Sequence, residues 1–225
     1  MNLDQRVDAL RNLTPVATVR RGLRLENNTA GTALYLYDQI GGWDGIIAKD
    51  VVTALNQHRG RPVAIHFNSP GGDIFEGHAI HNAIRRHDGP VVGYVDGIAG
   101  SAASYIAMAC EALWMEPNAQ MMIHDAHGGP PGMSPAQHRE TADLLDLLSD
   151  SIAEMYAARA GGTAKEWRER MSAETWYNAR QTVEAGLASG INGQQNDPEP
   201  PGGTTNALPS EAFGGLLDGL KGLFV

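Results

Sequence analysis

The chain has 225 residues, 42% of them hydrophobic, with a formal net charge of −9 and an isoelectric point near 5.3. That length and apolar content support one main core with extra segments at the ends, and the acidic balance argues against a nucleic-acid surface. The single cysteine, Cys110, precludes an intrachain disulfide, and no apolar run at the amino terminus suits a signal peptide or a membrane span. A cytoplasmic protein of a reducing compartment is expected, with neither membrane nor nucleic acid as a partner.

Residues 1–32 mix charge with turn-forming residues and show no sustained hydrophobic period, which predicts a mobile N-terminal arm made locally basic by Arg6, Arg11, Arg20, Arg21 and Arg24. Ordered structure is expected over 33–191. Ala33 to Tyr37 has strand composition, and 43–58 sets Ile46, Ile47, Val51 and Leu55 near one helical face. A second strand over 62–67 runs into Asn68-Ser69-Pro70-Gly71-Gly72 and a helix over 74–87, and a third over 90–95 leads to Gly97-Ile98-Ala99-Gly100-Ser101 and a helix over 102–110. Repeated strand–helix order favours right-handed crossovers and a largely parallel α/β sheet, whose sites gather at the strand ends.

Short strands are expected at 112–115 and 120–123, the second delivering His124 at its end. After a glycine–proline loop at 128–132, Ser134, Pro135 and Gln137 form a helix-start signature, opening a long helix that reaches Arg159. Its apolar stripe, Leu144, Leu145, Leu147, Leu148, Ile152 and Met155, is wide for one core and suggests contact with another subunit. Thr163 with Glu166, and Asn178 with Gln181, repeat the capping pattern for two shorter helices. Residues 192–211 are rich in Gly, Pro, Asn, Gln and Thr and read as a flexible linker. Residues 212–225 carry Phe213, Leu216, Leu217, Leu220, Leu223 and Phe224 at near-helical spacing and read as a short docking segment or a disordered tail.

The turn before Ser101 is glycine- and alanine-rich, which permits the sharp backbone and close substrate approach that a nucleophilic serine needs. A packing turn has the same composition, so the reading depends on partners elsewhere. Of eight histidines, His124 alone is expected at the end of a core strand and is the candidate general base. His78, His81 and His87 fit a solvated helix face, His127 a glycine loop, and His58, His66 and His138 show no convergent neighbour. Asp125 is poorly aimed, because consecutive side chains in extended backbone point to opposite faces, which leaves Glu174 as the candidate third member. Backbone N–H groups of Gly72 and Ala102 are the candidate oxyanion donors. No cofactor or metal is required by this chemistry.

Asn68-Ser69-Pro70-Gly71-Gly72, the stretch 97–104 and Met122-Ile123-His124 together resemble the ClpP-type serine peptidases over roughly residues 33–190. The resemblance implies a ClpP/crotonase-like fold of stacked ββα units, a projecting handle formed by the loop and helix over 128–159, ring-forming homo-oligomers and protein substrates. Glu174 falls where that family carries its catalytic aspartate, one methylene longer. Ser101-Ala102-Ala103-Ser104, Met122-Ile123-His124-Asp125-Ala126 and Glu174-Thr175-Trp176 look most like bacteriophage head maturation proteases, implying ATP-independent cleavage of scaffold and capsid precursors within the assembling prohead. Three other readings stay open: a housekeeping subunit fed by an ATPase unfoldase, a crotonase-like acyl-CoA enzyme, and an inactive structural shell protein.

Overall fold

In the computed structural model the described residues are 23–27, 32–129 and 132–193. Among the described residues, strand and helix segments form one eight-stranded mixed sheet. Its strands are β1 (Leu23–Asn27), β2 (Thr32–Leu36), β3 (Val63–Ser69), β4 (Val91–Gly100), β5 (Ala112–Met115), β6 (Gln120–Ile123), β7 (Thr175–Asn178) and β8 (Gly190–Ile191). The spatial order is β1-β2-β3-β4-β5-β8, with β6 beside β4 and β7 beside β6. The central pairs β2–β3, β3–β4, β4–β5 and β4–β6 are parallel, while β1 and β7 join antiparallel. Parallel strands lie between layers, and β2 is accordingly buried at all five positions.

The helices among the described residues are α1 (Ala48–Gln57), α2 (Ile74–Arg85), α3 (Ala102–Ala107), α4 (Pro135–Ala160), α5 (Ala164–Ser172) and α6 (Ala179–Glu184). Ser134 and Gln137, Thr163 and Glu166, and Asn178 and Gln181 each make the reciprocal side-chain and backbone bonds of a capping box, so three helix starts lie where the sequence marks them. The core contains Leu34, Leu36, Ile65, Phe67, Ile80, Val95, Ile106, Leu113, Met121 and Ile123, and α4 adds Ile152, Ala153 and Tyr156. Cys110 is buried in that core, where desolvation pushes its thiol up to about 12, in keeping with a packing role.

Several elements differ from expectation. Strand β1 lies inside the stretch read as an arm, because Leu23 and Leu25 alternate with Arg24 and Glu26 in the period of a strand beside β2. Helix α1 begins at Ala48, not Trp43, and α3 ends at Ala107. Strand β4 runs on through the glycine-rich stretch to Gly100, long enough for its first half to pair β5 and its second half to pair β6. Strand β7 was not expected. His66 has neighbours after all: Nδ1 lies 2.8 Å from Asp96, and the ring stacks between Tyr35 and Tyr94. Residues 1–22, the stretch beyond Gly193 that reads as a linker in the sequence, and the apolar stretch at 212–225 lie outside the described residues.

Candidate active site

The register of β4 and β6 brings two distant residues together. Gly100 pairs with Met122, and the N–H of Ser101 bonds the carbonyl of Met122 at 2.9 Å. Both strands end at the same edge of the sheet, so Ser101, directly after β4, meets His124, directly after β6. The Ser101 Oγ lies 2.8 Å from His124 Nε2, the contact through which an imidazole takes a hydroxyl proton. Ser101 has φ 49° and ψ −121°, a conformation that non-glycine residues rarely adopt. Ser104, one turn on, is buried and hydrogen-bonded to the Ser101 carbonyl and the Tyr156 hydroxyl, a packing role.

The loop after β3 forms the opposite wall. Ile40 makes a parallel bridge to Gly72: its N–H reaches the Gly71 carbonyl at 2.8 Å, and its carbonyl takes the Asp73 N–H at 2.8 Å. In that pattern the bonds go to the neighbours of Gly72, whose own N–H faces away from Ile40. Gly71 has φ 95°, and a Cβ there would lie 2.6 Å from the Ala102 nitrogen, so this position needs glycine on both counts. Gly72 and Ala102 line the same cleft of about 420 Å³ as Ser101 and His124, so the two candidate oxyanion donors lie beside the candidate nucleophile and base.

Burial lowers the pKa of His124 below its usual value and the neighbouring His127 lowers it further, against the opposing pull of Asp125 and Glu174. A neutral imidazole is the form that accepts a proton. The β6–β7 register pairs Ile123 with Thr175 and so sets Glu174 opposite His124. Glu174 also has positive φ, 47°. Its carboxylate, however, accepts the Trp176 indole N–H at 3.3 Å, and among the described residues it makes no hydrogen bond to His124. Asp125 turns away from the base, accepting the Ser172 hydroxyl at 2.6 Å and pairing with Arg168 at 3.2 Å, as the alternation of extended backbone requires.

The side chain found at the far nitrogen of the candidate base is that of His127, whose Nδ1 lies 3.0 Å from His124 Nδ1. Sequence reasoning passed over it because a histidine before two glycines looks like an ordinary loop residue. The available signal was its place three positions beyond the expected base. Among the described residues, no group of three or more His, Cys, Asp or Glu is arranged to hold a metal ion.

The order and spacing of these parts match one known family, whose description is Clp protease and whose model covers residues 36–195. The chain belongs to the Clp protease family. It is 32% identical over 139 residues to the ATP-dependent Clp protease proteolytic subunit 2 of Treponema denticola, a match covering 61% of this chain and 69% of that protein. It is 31% identical over 161 residues to the subunit of the same name from Pseudomonas aeruginosa, covering 67% and 77%. A solved structure of a ClpP1 mutant from Listeria monocytogenes superposes with a TM-score of 0.61 at 22% identity, over 71% of this chain and 90% of that one. The fold is therefore that of ClpP, and membership makes this chain a Clp-type serine peptidase.

Proposed function

We propose that the chain is a serine endopeptidase in which Ser101 attacks the peptide carbonyl and His124 serves as general base, then as general acid to the leaving amine. Gly72 and Ala102 donate their N–H groups to the oxyanion. Glu174 supplies negative charge that favours the imidazolium formed on His124. The observation that carries this reading is the 2.8 Å contact between Ser101 Oγ and His124 Nε2 on a serine held at positive φ. Each oxyanion donor is worth about 3 kcal/mol of transition-state stabilisation.

The substrates are proposed to be scaffold and capsid precursors inside an assembling phage prohead, cut without ATP by a ring-forming homo-oligomer. Support comes from the Ser-Ala-Ala-Ser, Met-Ile-His-Asp-Ala and Glu-Thr-Trp runs in this sequence. The names of the relatives favour a second reading, a proteolytic subunit served by an ATP-driven unfoldase. Fluorophosphonate labelling of the full chain tests the chemistry: Ser101→Ala is expected to abolish it, and labelling that persists in that variant sinks the serine-peptidase reading. Incubation with phage scaffold and capsid precursors, followed by fragment mapping, tests the substrate. Degradation of folded proteins only when an unfoldase and ATP are added favours the second reading.

A further inference from the structure

We infer that His127 is the positioning residue of this site, its Nδ1 accepting the Nδ1–H of His124 and so holding the base in the tautomer that leaves Nε2 free for the Ser101 proton. The inference rests on the serine-peptidase reading and deepens it. The two Nδ1 atoms are 3.0 Å apart, with ring centroids separated by 4.5 Å and planes tilted by 38°. A neutral imidazole carries one N–H and one lone pair. Because Nε2 of His124 must accept from Ser101, its proton sits on Nδ1, and the facing Nδ1 of His127 must supply the lone pair, with its own proton on Nε2.

Neither carboxylate nearby competes for that position. The Asp125 carboxylate accepts from Ser172 and is ion-paired with Arg168, and Glu174 accepts the Trp176 indole N–H; the main chain of Asp125 also hydrogen-bonds the His124 ring. The backbone holding His127 is itself fixed. The Ala126 N–H bonds Ser149 Oγ at 2.9 Å, and that hydroxyl donates to the Leu145 carbonyl at 2.7 Å, which ties the loop to a buried stretch of α4. During acylation the proton moves from Ser101 Oγ to His124 Nε2 and then to the leaving amine. Nothing is transferred to His127, which acts by orienting the ring and accepting from the imidazolium.

What this role requires of position 127 is a hydrogen-bond acceptor, which a neutral imidazole or an amide oxygen supplies and a methyl group does not. The other ionisable groups facing the pair are Asp125 and Glu174, and across the cleft Tyr105 and Tyr156, whose phenols burial pushes well above their ordinary range.

The test is the second-order rate of fluorophosphonate labelling of Ser101 in the full chain at about pH 8, above the ordinary histidine range. His127→Asn offers an amide oxygen in the acceptor's place and is expected to keep at least about a tenth of the wild-type rate, while His127→Ala, which offers none, loses about 100-fold. His127 is exposed, so both variants should melt as wild type does. Glu174→Gln leaves that acceptor in place and should cost less than His127→Ala. Full reactivity in His127→Ala, a loss in His127→Asn as large as in His127→Ala, or a larger loss in Glu174→Gln overturns the assignment of His127 alone, provided that labelling still depends on Ser101. Labelling absent from wild type, or persisting in Ser101→Ala, overturns the serine-peptidase reading and the assignment with it.

Discussion

Ser101 stands in a backbone conformation that costs about 1–3 kcal/mol for a non-glycine residue, and its neighbours hold it there. The Met122 carbonyl fixes its N–H, Ser104 bonds its carbonyl, and the Gly71 backbone packs against the Ala102 nitrogen. Gly71→Ala would press a methyl group to within 2.6 Å of the Ala102 nitrogen at a φ of 95°. It is expected to cut kcat for a fluorogenic peptide by about 100-fold, the scale of one lost oxyanion donor, with the fold retained by circular dichroism. The pH dependence follows from His124. Burial and the neighbouring His127 lower its pKa, so protonation, which abolishes its function as a base, sets in only below the ordinary histidine value of 6.5. The acid limb of kcat/KM should therefore have its midpoint below 6.5. The same group is charged in the unfolded chain but neutral in the folded one between the two values, so it subtracts stability as the pH falls through 6.5, a trend that melting temperatures across that range would show.

At the level of elements, the positions of helices were legible where a local rule is strong. The three capping boxes need only residues three apart, and each start is found within one residue of its signal. The Ser101 and His124 pair was legible because both follow apolar strand runs. What escaped were features set by pairing across the chain. Strand β7 is four residues long, Thr-Trp-Tyr-Asn, and exists because β6 offers it an edge; His66 gains Asp96 only through the β3–β4 register. His127 lies beside His124 on a loop whose Ala126 N–H is held by Ser149 of α4. Arg159 illustrates the same dependence at the far end of α4. Its guanidinium donates to the carbonyls of Cys110, Glu111 and Leu187 and to the Ser189 hydroxyl, joining the helix to the segments flanking β5 and β8. Lysine keeps the charge but cannot reproduce that fork. Arg159→Lys is expected to cost about 2 kcal/mol from carbonyls left unsatisfied, read as a drop of about 4–8 °C in Tm.

For the molecule as a whole, α4 divides into two parts. Its second half is built into the core through Leu148, Ile152, Ala153 and Tyr156, whereas its first half leaves Leu144 46% exposed and Leu147 63% exposed. Helices of monomers normally keep such leucines on the buried side, and no described element of this chain covers them. The resemblance on which ring assembly is proposed gives this helix the task of contact between subunits, and the exposed pair is where that contact would be apolar. Leu144→Asp with Leu147→Asp places two charges on that face without entering the core. If the helix joins subunits, sedimentation velocity should show the double variant as a smaller assembly than wild type, with an unchanged melting profile for the individual subunit. Fluorophosphonate labelling reports separately on the site, because Ser149 and Ala126 anchor the catalytic loop from the buried half of the helix. A reduced assembly that still labels Ser101 would make the handle an assembly device only. Loss of both would mean that the order of the catalytic loop depends on the neighbouring subunit. An unchanged sedimentation coefficient would remove α4 from the interface.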